Sequence, residues 1–510
     1  MSGRSWTRGA HHRTSESIGS VSNGRAGADK PPTIVRAVMM AENDNGYDTD
    51  CGPATACTGE RGLRVAFLVP SLRLSGGLNV VMEHGSRLAR NHGFDVTMVI
   101  THHPDETPWA YDGLGDVSVE AIADVNGEPF DLAIATWWDT VSYLSQVRSH
   151  RFAYFVQSLE DRFYVAGDPQ RQLAGLTYRI GLPVITEARW IADLIEQVRP
   201  GQRCWYVRNG VNKDIFPVTE SIDRRDSEPL RILIEGNVDD HIKGVPEALE
   251  AIRLMHEPAQ VTVVSAKGGD LPGASVIGPI MQRELSAVMA QTDVVLKLSR
   301  VEGMSGPPLE GFHRGATAVL TPVTGHDEYV HHGWNSLLTG WDDPTGTARQ
   351  LDLLARDRDL LDRLRSNAQV TARVWPDWDD AAAEMAAALQ GICTAGAFDL
   401  SVSTPLFREA KYQISSDARR IHFLKTKVLA TEQHVEKLEG QITRVSNESH
   451  ERAVELLGLR AHSEALESRM TAASAALATL ERSRSVRTIV RVQHLARRVR
   501  SRFRSWLSAP

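Results

Sequence analysis

Two carboxylates, Glu302 and Glu310, flank a turn of small residues and two prolines. The apolar segment 293–298 before the turn is predicted to be a short buried strand, and segment 310–315 opens a helix. In a parallel α/β sheet, ligands bind at the carboxyl ends of strands, and a helix N-terminus suits an anion. We therefore expect a phosphorylated ligand whose hydroxyl groups donate to the carboxylates. The alternative is an ordinary helix start with glutamate in its first turn.

The anion's hydrogen-bond donors are expected within the turn itself. Pro307 and Pro308 suit the first helical positions because they lack an N–H group, and for the same reason they cannot donate to a phosphate. The predicted donors are the backbone N–H groups of Gly303, Met304, Ser305 and Gly306.

The composition is typical of a soluble protein with substantial hydrophobic cores. The chain has 510 residues, of which 42% are hydrophobic, and a formal net charge of −7, which does not point to nucleic acid. Residues 1–28 lack the apolar segment of a secretory signal, and no apolar run is long enough to span a bilayer. The four cysteines are scattered. We expect a reducing, cytoplasmic setting without a structural disulfide or a metal site.

Two successive patterns of strands and helices predict two α/β domains. Residues 1–62 are polar and lack periodicity, so we expect disorder there. Alternating apolar runs and helical stretches predict a doubly wound parallel sheet over 63–212. The charged segment 213–229 is predicted to be an interdomain linker, and the pattern restarts over 230–392. Two such domains form a cleft, where ligand sites are common.

A Gly-Gly pair follows the first predicted strand. Gly76 and Gly77 lie between that strand and a helix predicted over 79–91, which is the order of a nucleotide-binding opening. The pair lacks the third spaced glycine of a dinucleotide fingerprint. These residues alone therefore favour a tight turn over a loop that lets a ligand approach the backbone.

The chain changes character after residue 401. Apolar residues fill fifteen of twenty heptad core positions between Ile414 and Leu480. This repeat predicts a coiled coil over 410–481, and hence self-association or a helical partner. Ser449 and Arg452 interrupt the repeat, and the alternative is a long helix that folds back on the body.

The last segment, 482–510, has nine arginines between Arg482 and Arg504 and no acidic residue. On a helix, five of these arginines share a basic face opposite an apolar face with Phe503 and Trp506, namely Arg484, Arg487, Arg491, Arg498 and Arg502. That arrangement suits a helix lying on an anionic membrane surface, so we expect a peripheral protein on the inner face of the cell membrane. One alternative is a solvated terminal helix. The other is a basic arm that binds nucleic acid, but the apolar face and the net negative charge of the whole chain disfavour it.

Four motifs within residues 63–392 resemble glycosyltransferase family 4, which comprises retaining, metal-independent nucleotide-sugar enzymes. The resemblance implies the GT-B fold, in which two Rossmann-like domains face a cleft. The motifs are Glu302-x7-Glu310, Gly236 followed by Lys243-Gly244, Gly325-x-x-Glu328 followed by 333–338, and Asn209-Gly210-Val211.

The resemblance also implies roles for individual residues. Glu310 is expected to bind the nucleotide ribose, and Glu302 the hydroxyl groups of the donor sugar. Lys243 is expected to neutralise the diphosphate, and with Glu302 it forms the implied catalytic pair, because a cation near a departing diphosphate lowers the barrier. Gly76 and Gly77 are then expected to approach the donor phosphates rather than to form a simple turn. No metal or cofactor is implied.

The chain departs from the family pattern at Asn237, which stands where the family has an arginine directly after the glycine of the phosphate-binding strand. Together with Gly236, this residue is expected beside the donor. The two candidate replacements for the missing cation are Arg300 and Arg208.

A second departure lies on the acceptor side, where Gln157 stands in place of a histidine found in many family members. Gln157 and Glu160 are expected near the acceptor or the reacting sugar. The surrounding segment 154–164 also resembles bacterial rhamnosyltransferases that build cell-surface glycans, which implies rhamnose as the transferred sugar.

These features lead us to expect a retaining transferase that moves a sugar from a nucleotide diphosphate to a surface polysaccharide or a glycolipid. Its expected partners are the nucleotide sugar, a glycan acceptor, further copies of the chain and an anionic membrane, but not nucleic acid. Asn237 and Gln157 favour an alternative, a non-catalytic scaffold that acts through its coiled coil. A phosphorylase would need a lysine for pyridoxal phosphate, and neither Lys267 nor Lys297 has such a context.

Overall fold

The structure is a computed structural model, and two of the predicted segments lie almost wholly outside the part of the chain that it describes. These are the N-terminal segment 1–62, apart from its last residue, and the basic tail, apart from residues 497–498. The described residues are 62–220, 228–268, 271–395, 400–448, 453–480 and 497–498.

The first domain is built on a parallel sheet of seven strands. The strands are β1 (Arg64–Val69), β2 (Asp95–Ile100), β3 (Ser118–Ala121), β4 (Phe130–Ala135), β5 (Ser149–Val156), β6 (Val184–Thr186) and β7 (Cys204–Tyr206). They lie in the order β3-β2-β1-β4-β5-β6-β7. In β1, every residue after Arg64 is buried, as expected of a central strand that is covered on both faces.

The first domain also contains α1 (Gly76–His92), α2 (Pro169–Thr177) and α3 (Arg189–Val198). The sequence predicted that helix α1 starts at Asn79, but it starts at Gly76. The Ser75 hydroxyl caps it there by accepting from the Leu78 N–H at 3.2 Å. The predicted glycine loop is therefore the first turn of this helix.

The second domain has a parallel sheet of six strands, so the predicted α/β class with two parallel sheets is confirmed. The strands lie in the order β10-β9-β8-β11-β12-β13 and comprise β8 (Leu230–Glu235), β9 (Ala259–Val264), β10 (Ser275–Ile277), β11 (Val294–Lys297), β12 (Thr317–Leu320) and β13 (Leu337–Leu338). The helices are α4 (Val245–Arg253), α5 (Gln282–Met289), α6 (Gly306–His313), α7 (Pro344–Arg356) and α8 (Arg358–Val374).

Helices α7 and α8 meet at Asp357, whose carboxylate accepts from the Leu360 N–H at 2.9 Å and caps α8. One sequence-based expectation for this domain differs from the structure. The segment 213–229 was expected to be a linker, but Ile215 and Phe216 are buried in the core of the second domain.

The next helix, α9 (Trp378–Thr394), packs on the first domain, although the sequence grouped it with the second. Met385, Leu389 and Ile392 are buried in a single hydrophobic cluster with Phe67 of β1 and Phe155 of β5. The chain therefore leaves the first domain, builds the second and returns to complete the core of the first.

Two long helices follow, α10 (Leu400–Glu448) and α11 (Ala453–Leu480), and they pack against each other. Val435 and Leu438 of α10 form a buried cluster with Leu466 of α11. Because only four residues separate the helices, they form an antiparallel hairpin rather than one continuous helix. The sequence gap between them, residues 449–452, coincides with the interruption of the heptad repeat.

The base of α10 folds back on the first domain. Phe407, Ala410 and Ile414 pack with Trp138 and with Leu173 of α2, which agrees with the alternative of a helix that folds back on the body. None of the described helices is both long and apolar enough to cross a bilayer. A coiled coil between separate chains stays a prediction.

Replacement of Leu389 by alanine should lower the free energy of unfolding by about 2–5 kcal/mol, because it leaves a cavity in the core of the first domain. The matched control is Leu353→Ala in α7, since Leu353 is 45% exposed and its loss should cost less than about 1 kcal/mol. Urea unfolding monitored by tryptophan fluorescence measures both. Equal small losses would contradict the packing of α9 against the first domain.

Candidate active site

A cavity of about 690 Å³ lies between the two domains. The first domain contributes the start of α1 and the segments that follow β4 and β5, while the second contributes the segment after β8 and the turn between β11 and α6. These are carboxyl ends of parallel strands, where ligand sites are expected. Every predicted site residue except Ser305 lines this cavity: Gly76, Gly77, Gln157, Glu160, Gly236, Asn237, Lys243, Glu302, Gly303, Met304, Gly306 and Glu310.

One charge pair in this cavity joins Lys243 and Glu302. The Lys243 Nζ lies 3.1 Å from Oε1 and 3.2 Å from Oε2 of Glu302. A second ammonium group, that of Lys297, lies 3.5 Å from the same Oε1. Burial by itself raises the pKa of the Glu302 carboxyl, but the two lysine charges overcome it and lower the pKa to about 2. Glu302 is therefore a firmly ionised carboxylate.

The loop that carries Lys243 is held close to β11 by glycine. Gly244 has a φ of +65°, and a Cβ atom built there would lie 2.0 Å from the Leu298 carbonyl oxygen. A larger residue would clash with that backbone and would also strain the left-handed conformation. Gly244 thus fixes the distance between Lys243 and the turn that carries Glu302.

Glu310 lies in α6, whose first turn contains Pro307 and Pro308, as predicted. Its environment is opposite to that of Glu302. Burial, followed by the negative charges of Glu235 and Glu83, raises the pKa of the Glu310 carboxyl to about 8. At neutral pH this group is mostly protonated, so it can donate as well as accept a hydrogen bond.

One of the four predicted backbone donors is already engaged within the protein. The Met304 N–H donates to Oε1 of Glu187 at 3.0 Å, and Oε2 of Glu187 accepts from Nδ2 of Asn209 at 2.7 Å. Glu187 and Asn209 belong to the first domain, so this contact joins the two domains. Burial raises the pKa of the Glu187 carboxyl to about 8, although its two donors oppose the shift. Because Ser305 does not line the cavity, the N–H groups of Gly303 and Gly306 are the predicted donors left.

On the first-domain side, Gln157 and Glu160 have different surroundings. The Gln157 side chain lies beside Gly77, where a Cβ atom would be 3.3 Å from its Oε1. That oxygen is buried and has no hydrogen-bond partner among the described residues, so it is available to a ligand. Glu160 is bound into the wall, since its Oε2 accepts from the Trp138 N–H at 2.5 Å and from the Tyr154 hydroxyl at 2.9 Å.

Asn237 lines the cavity, but its side chain faces its own domain, where Oδ1 accepts from the Ser265 hydroxyl at 2.9 Å. Neither candidate replacement for the missing cation reaches the cavity. Arg300 pairs with Glu247 at 2.9 Å and with Asp342, and Arg208 lies 3.6 Å from Glu384. The cations among the described lining residues are Arg73, Lys243 and Lys297.

Sequence reasoning missed several charged residues of this site, among them Glu187, Glu235 and Lys297. Glu235 and Lys297 had a usable signal, because each is a charged residue that ends a largely apolar strand at the edge where ligands bind. Glu187 had none, because its partner in the turn is 117 positions away. The described residues contain no group of three potential metal ligands, and a metal-independent reaction stays a prediction.

Residues 229–357 match the family model for Glycosyl transferases group 1. The matched segment runs from the start of β8 to the end of α7 and contains Lys243, Glu302 and Glu310. A search of curated protein sequences returns no match.

Solved structures match the two-domain body at low sequence identity. Anabaena HepE, solved with UDP and glucose, is 14% identical, with a TM-score of 0.51 over 64% of this chain and 98% of its own. Sucrose-phosphate synthase from Thermosynechococcus elongatus is 15% identical, with a TM-score of 0.53 over 63% and 97%. The pneumococcal O-GlcNAc transferase GtfA, solved with UDP and GlcNAc, is 10% identical, with a TM-score of 0.50 over 65% and 99%. These likenesses show that the body has the GT-B fold.

The Glu187 contact predicts a pH dependence of stability that Glu187→Gln should reduce. The folded-state pKa is raised to about 8 from an unfolded value near 4.3, so the folded state holds an extra proton between these values. The stabilisation that this extra proton provides is fully present below the pKa of the unfolded state, and it is lost as the pH rises through the pKa of the folded state. From pH 5 to pH 8, the wild type should lose at least about 1 kcal/mol more unfolding free energy than Glu187→Gln.

Urea unfolding at several pH values measures this difference, and Glu384→Gln is the control because the Glu384 side chain is 41% exposed. The control should follow the wild type. Parallel pH curves for the wild type and Glu187→Gln would show that Glu187 does not hold the extra proton.

Proposed function

We propose that this protein is a retaining glycosyltransferase that moves a sugar from a nucleotide diphosphate to a surface polysaccharide or a glycolipid. The observation that carries this proposal is the Lys243–Glu302 pair, which faces the N-terminus of α1 across the cavity. The pair and the helix N-terminus together suit a ligand that has hydroxyl groups and a diphosphate. The segment that matches Glycosyl transferases group 1 holds the pair, and UDP in the HepE and GtfA structures supports a nucleotide-sugar donor.

The donor diphosphate fits between α1 and α6. Helix α1 begins at Gly76 and Gly77, whose N–H groups belong to its first turn, while the Ser75 hydroxyl caps the N–H of Leu78. The first N–H groups of a helix and its dipole favour negative charge. Lys243 adds a full positive charge from the second domain. As the glycosidic bond to the phosphate breaks, charge grows on the diphosphate, and these groups stabilise it.

Retention of configuration is proposed from the family resemblance, and the weak basicity of Glu302 agrees with a role for this residue other than that of a base. An inverting transferase needs a carboxylate or a histidine that removes a proton from the acceptor. Glu302 has a pKa of about 2 and is held by two lysines, so it is a poor base. Its oxygens can instead accept from donor-sugar hydroxyl groups, and Glu310 can bind the ribose, as the family resemblance implies. Rhamnose is the sugar proposed first, from the resemblance of segment 154–164.

The test is a panel of nucleotide sugars that includes a rhamnose donor and UDP-glucose, with release of nucleoside diphosphate as the readout. Lys243→Ala should lower kcat at least about 100-fold, because it removes charge stabilisation at the leaving group. Glu310→Ala should raise the KM for the donor about tenfold through lost ribose hydrogen bonds. Lys267→Ala is the control, since Lys267 is exposed and pairs with Asp239.

Full activity in both site variants would overturn the residue assignment. If the wild type bound no nucleotide or nucleotide sugar in calorimetry, the transferase proposal would fail. The non-catalytic scaffold would then be favoured.

We also propose that the protein lies on the inner face of the cell membrane, held by its basic tail, and self-associates through α10 and α11. Tyr412, Phe423 and Leu429 of α10 are more than half exposed and could be covered by another chain. Deletion of 482–510 should release the protein from vesicles containing phosphatidylserine while donor hydrolysis remains. Continued vesicle binding would refute the role of the tail, and a monomeric mass in light scattering would refute self-association.

A further inference from the structure

Lys297 is a buried cation in the wall of the cavity. Its side chain is 1% exposed, although it ends a strand whose other residues are apolar. Its Nζ lies 2.7 Å from Oε2 of Glu235, 3.4 Å from the Glu235 carbonyl oxygen and 3.5 Å from Oε1 of Glu302. The ammonium group is thus surrounded by three oxygens from the ends of two neighbouring structural segments.

The positive charge of a buried ammonium group must be compensated by nearby negative charges. Moving an ammonium group out of water costs several kcal/mol unless carboxylates pair with it, and a well-packed apolar side chain avoids this cost altogether. Burial lowers the pKa of Lys297, but the charges of Glu235 and Glu302 outweigh that effect and raise it. Lys297 therefore stays charged between two carboxylates. An apolar residue at this position would stabilise the fold at least as well, so the charge of Lys297 points to a role in the cavity.

The two lysines near Glu302 differ in their freedom to move. The Lys243 side chain is 28% exposed and comes from the loop before α4, whereas Lys297 is enclosed and held by Glu235. An incoming anion can therefore draw Lys243 away but leaves Lys297 in place. With Lys297 absent, Glu235 and Glu302 would share Lys243 alone and would repel a diphosphate.

We propose that Lys297 is a positioning residue that serves as the fixed counter-ion of Glu235 and Glu302, so that Lys243 is free to leave Glu302 and bind the donor diphosphate. The inference rests on the proposed function, because it places the diphosphate in this cavity. Before binding, Lys243 and Lys297 balance the two carboxylates. After binding, Lys297 alone holds Glu302 in its orientation, and Lys243 faces the phosphates.

The test compares nucleoside diphosphates with the matching nucleosides, which carry no phosphate charge. Calorimetry with UDP, dTDP, GDP and ADP first identifies the diphosphate that the full-length wild type binds. Lys297→Met should weaken binding of that diphosphate at least about tenfold and leave binding of its nucleoside unchanged, because only the diphosphate meets the uncompensated carboxylates. Lys297→Arg keeps the charge and should recover most of the affinity. Lys267→Met is the surface control and should bind as the wild type does.

A second variant gives an effect of the opposite sign. Glu235→Gln leaves Lys297 with one carboxylate fewer, so diphosphate binding should tighten several-fold. The double variant Lys297→Met with Glu235→Gln should bind the diphosphate more tightly than Lys297→Met alone. Nucleoside binding that is retained in every variant shows that the cavity is folded.

The outcomes separate the two proposals. If the wild type binds none of the four diphosphates, the proposed function fails and this inference fails with it. If the wild type binds one and Lys297→Met binds it equally well, only the role of Lys297 is refuted. A loss of diphosphate and nucleoside binding together in both Lys297 variants would also refute it, since that pattern indicates a purely structural lysine.

Discussion

The close approach of Gly303 to the backbone of Gln157 is the constraint on which the site depends. A Cβ atom on Gly303 would lie 1.7 Å from the Gln157 carbonyl oxygen, so no other residue fits without moving one domain. The Gly303 carbonyl accepts from the Trp190 indole N–H at 2.8 Å, and the next N–H donates to Glu187. The turn that carries Glu302 is therefore held by both domains. Its position, and with it the shape of the cavity, follows from how the domains meet.

Four glutamates of this cavity show how surroundings decide the chemistry of one residue type. Burial raises the pKa of the carboxyl groups of Glu160, Glu187 and Glu310 to about 8, because nearby cations are too few to stabilise the charge. Glu302 is equally enclosed, yet two ammonium groups lower its pKa to about 2. The same two lysines also lower the pKa of Glu235, so the cavity contains two ionised carboxylates, Glu235 and Glu302, among several that can be neutral. The placement of Lys243 and Lys297 selects which carboxyl groups are ionised.

The sequence predicted most of the sheet strands, because buried parallel strands are continuous apolar runs. It also identified Glu302, Glu310 and Lys243, whose spacing and order resemble a known family. The start of α1 was missed although Ser75 carries a capping hydroxyl. Contacts between distant segments left no local pattern, as for Glu187 and Met304.

Periodicity has a similar limit for the helices at the end of the chain. It identifies a buried face but not the partner that buries it. The apolar face of α9 therefore did not reveal that it packs on the first domain. In the same way, the heptad repeat did not distinguish the antiparallel pairing of α10 with α11 from pairing between chains.

The return of α9 to the first domain has a consequence for synthesis on the ribosome. The first domain is discontinuous in sequence, and the second is inserted into it. Met385 and Leu389, which complete the cluster around Phe67 and Phe155, emerge only after the whole second sheet has been made. Until α9 has been synthesised, the apolar surface that it covers in the first domain lacks this partner. All strands of the inserted domain are available earlier. The order of translation therefore favours the second domain as the first to reach its final packing.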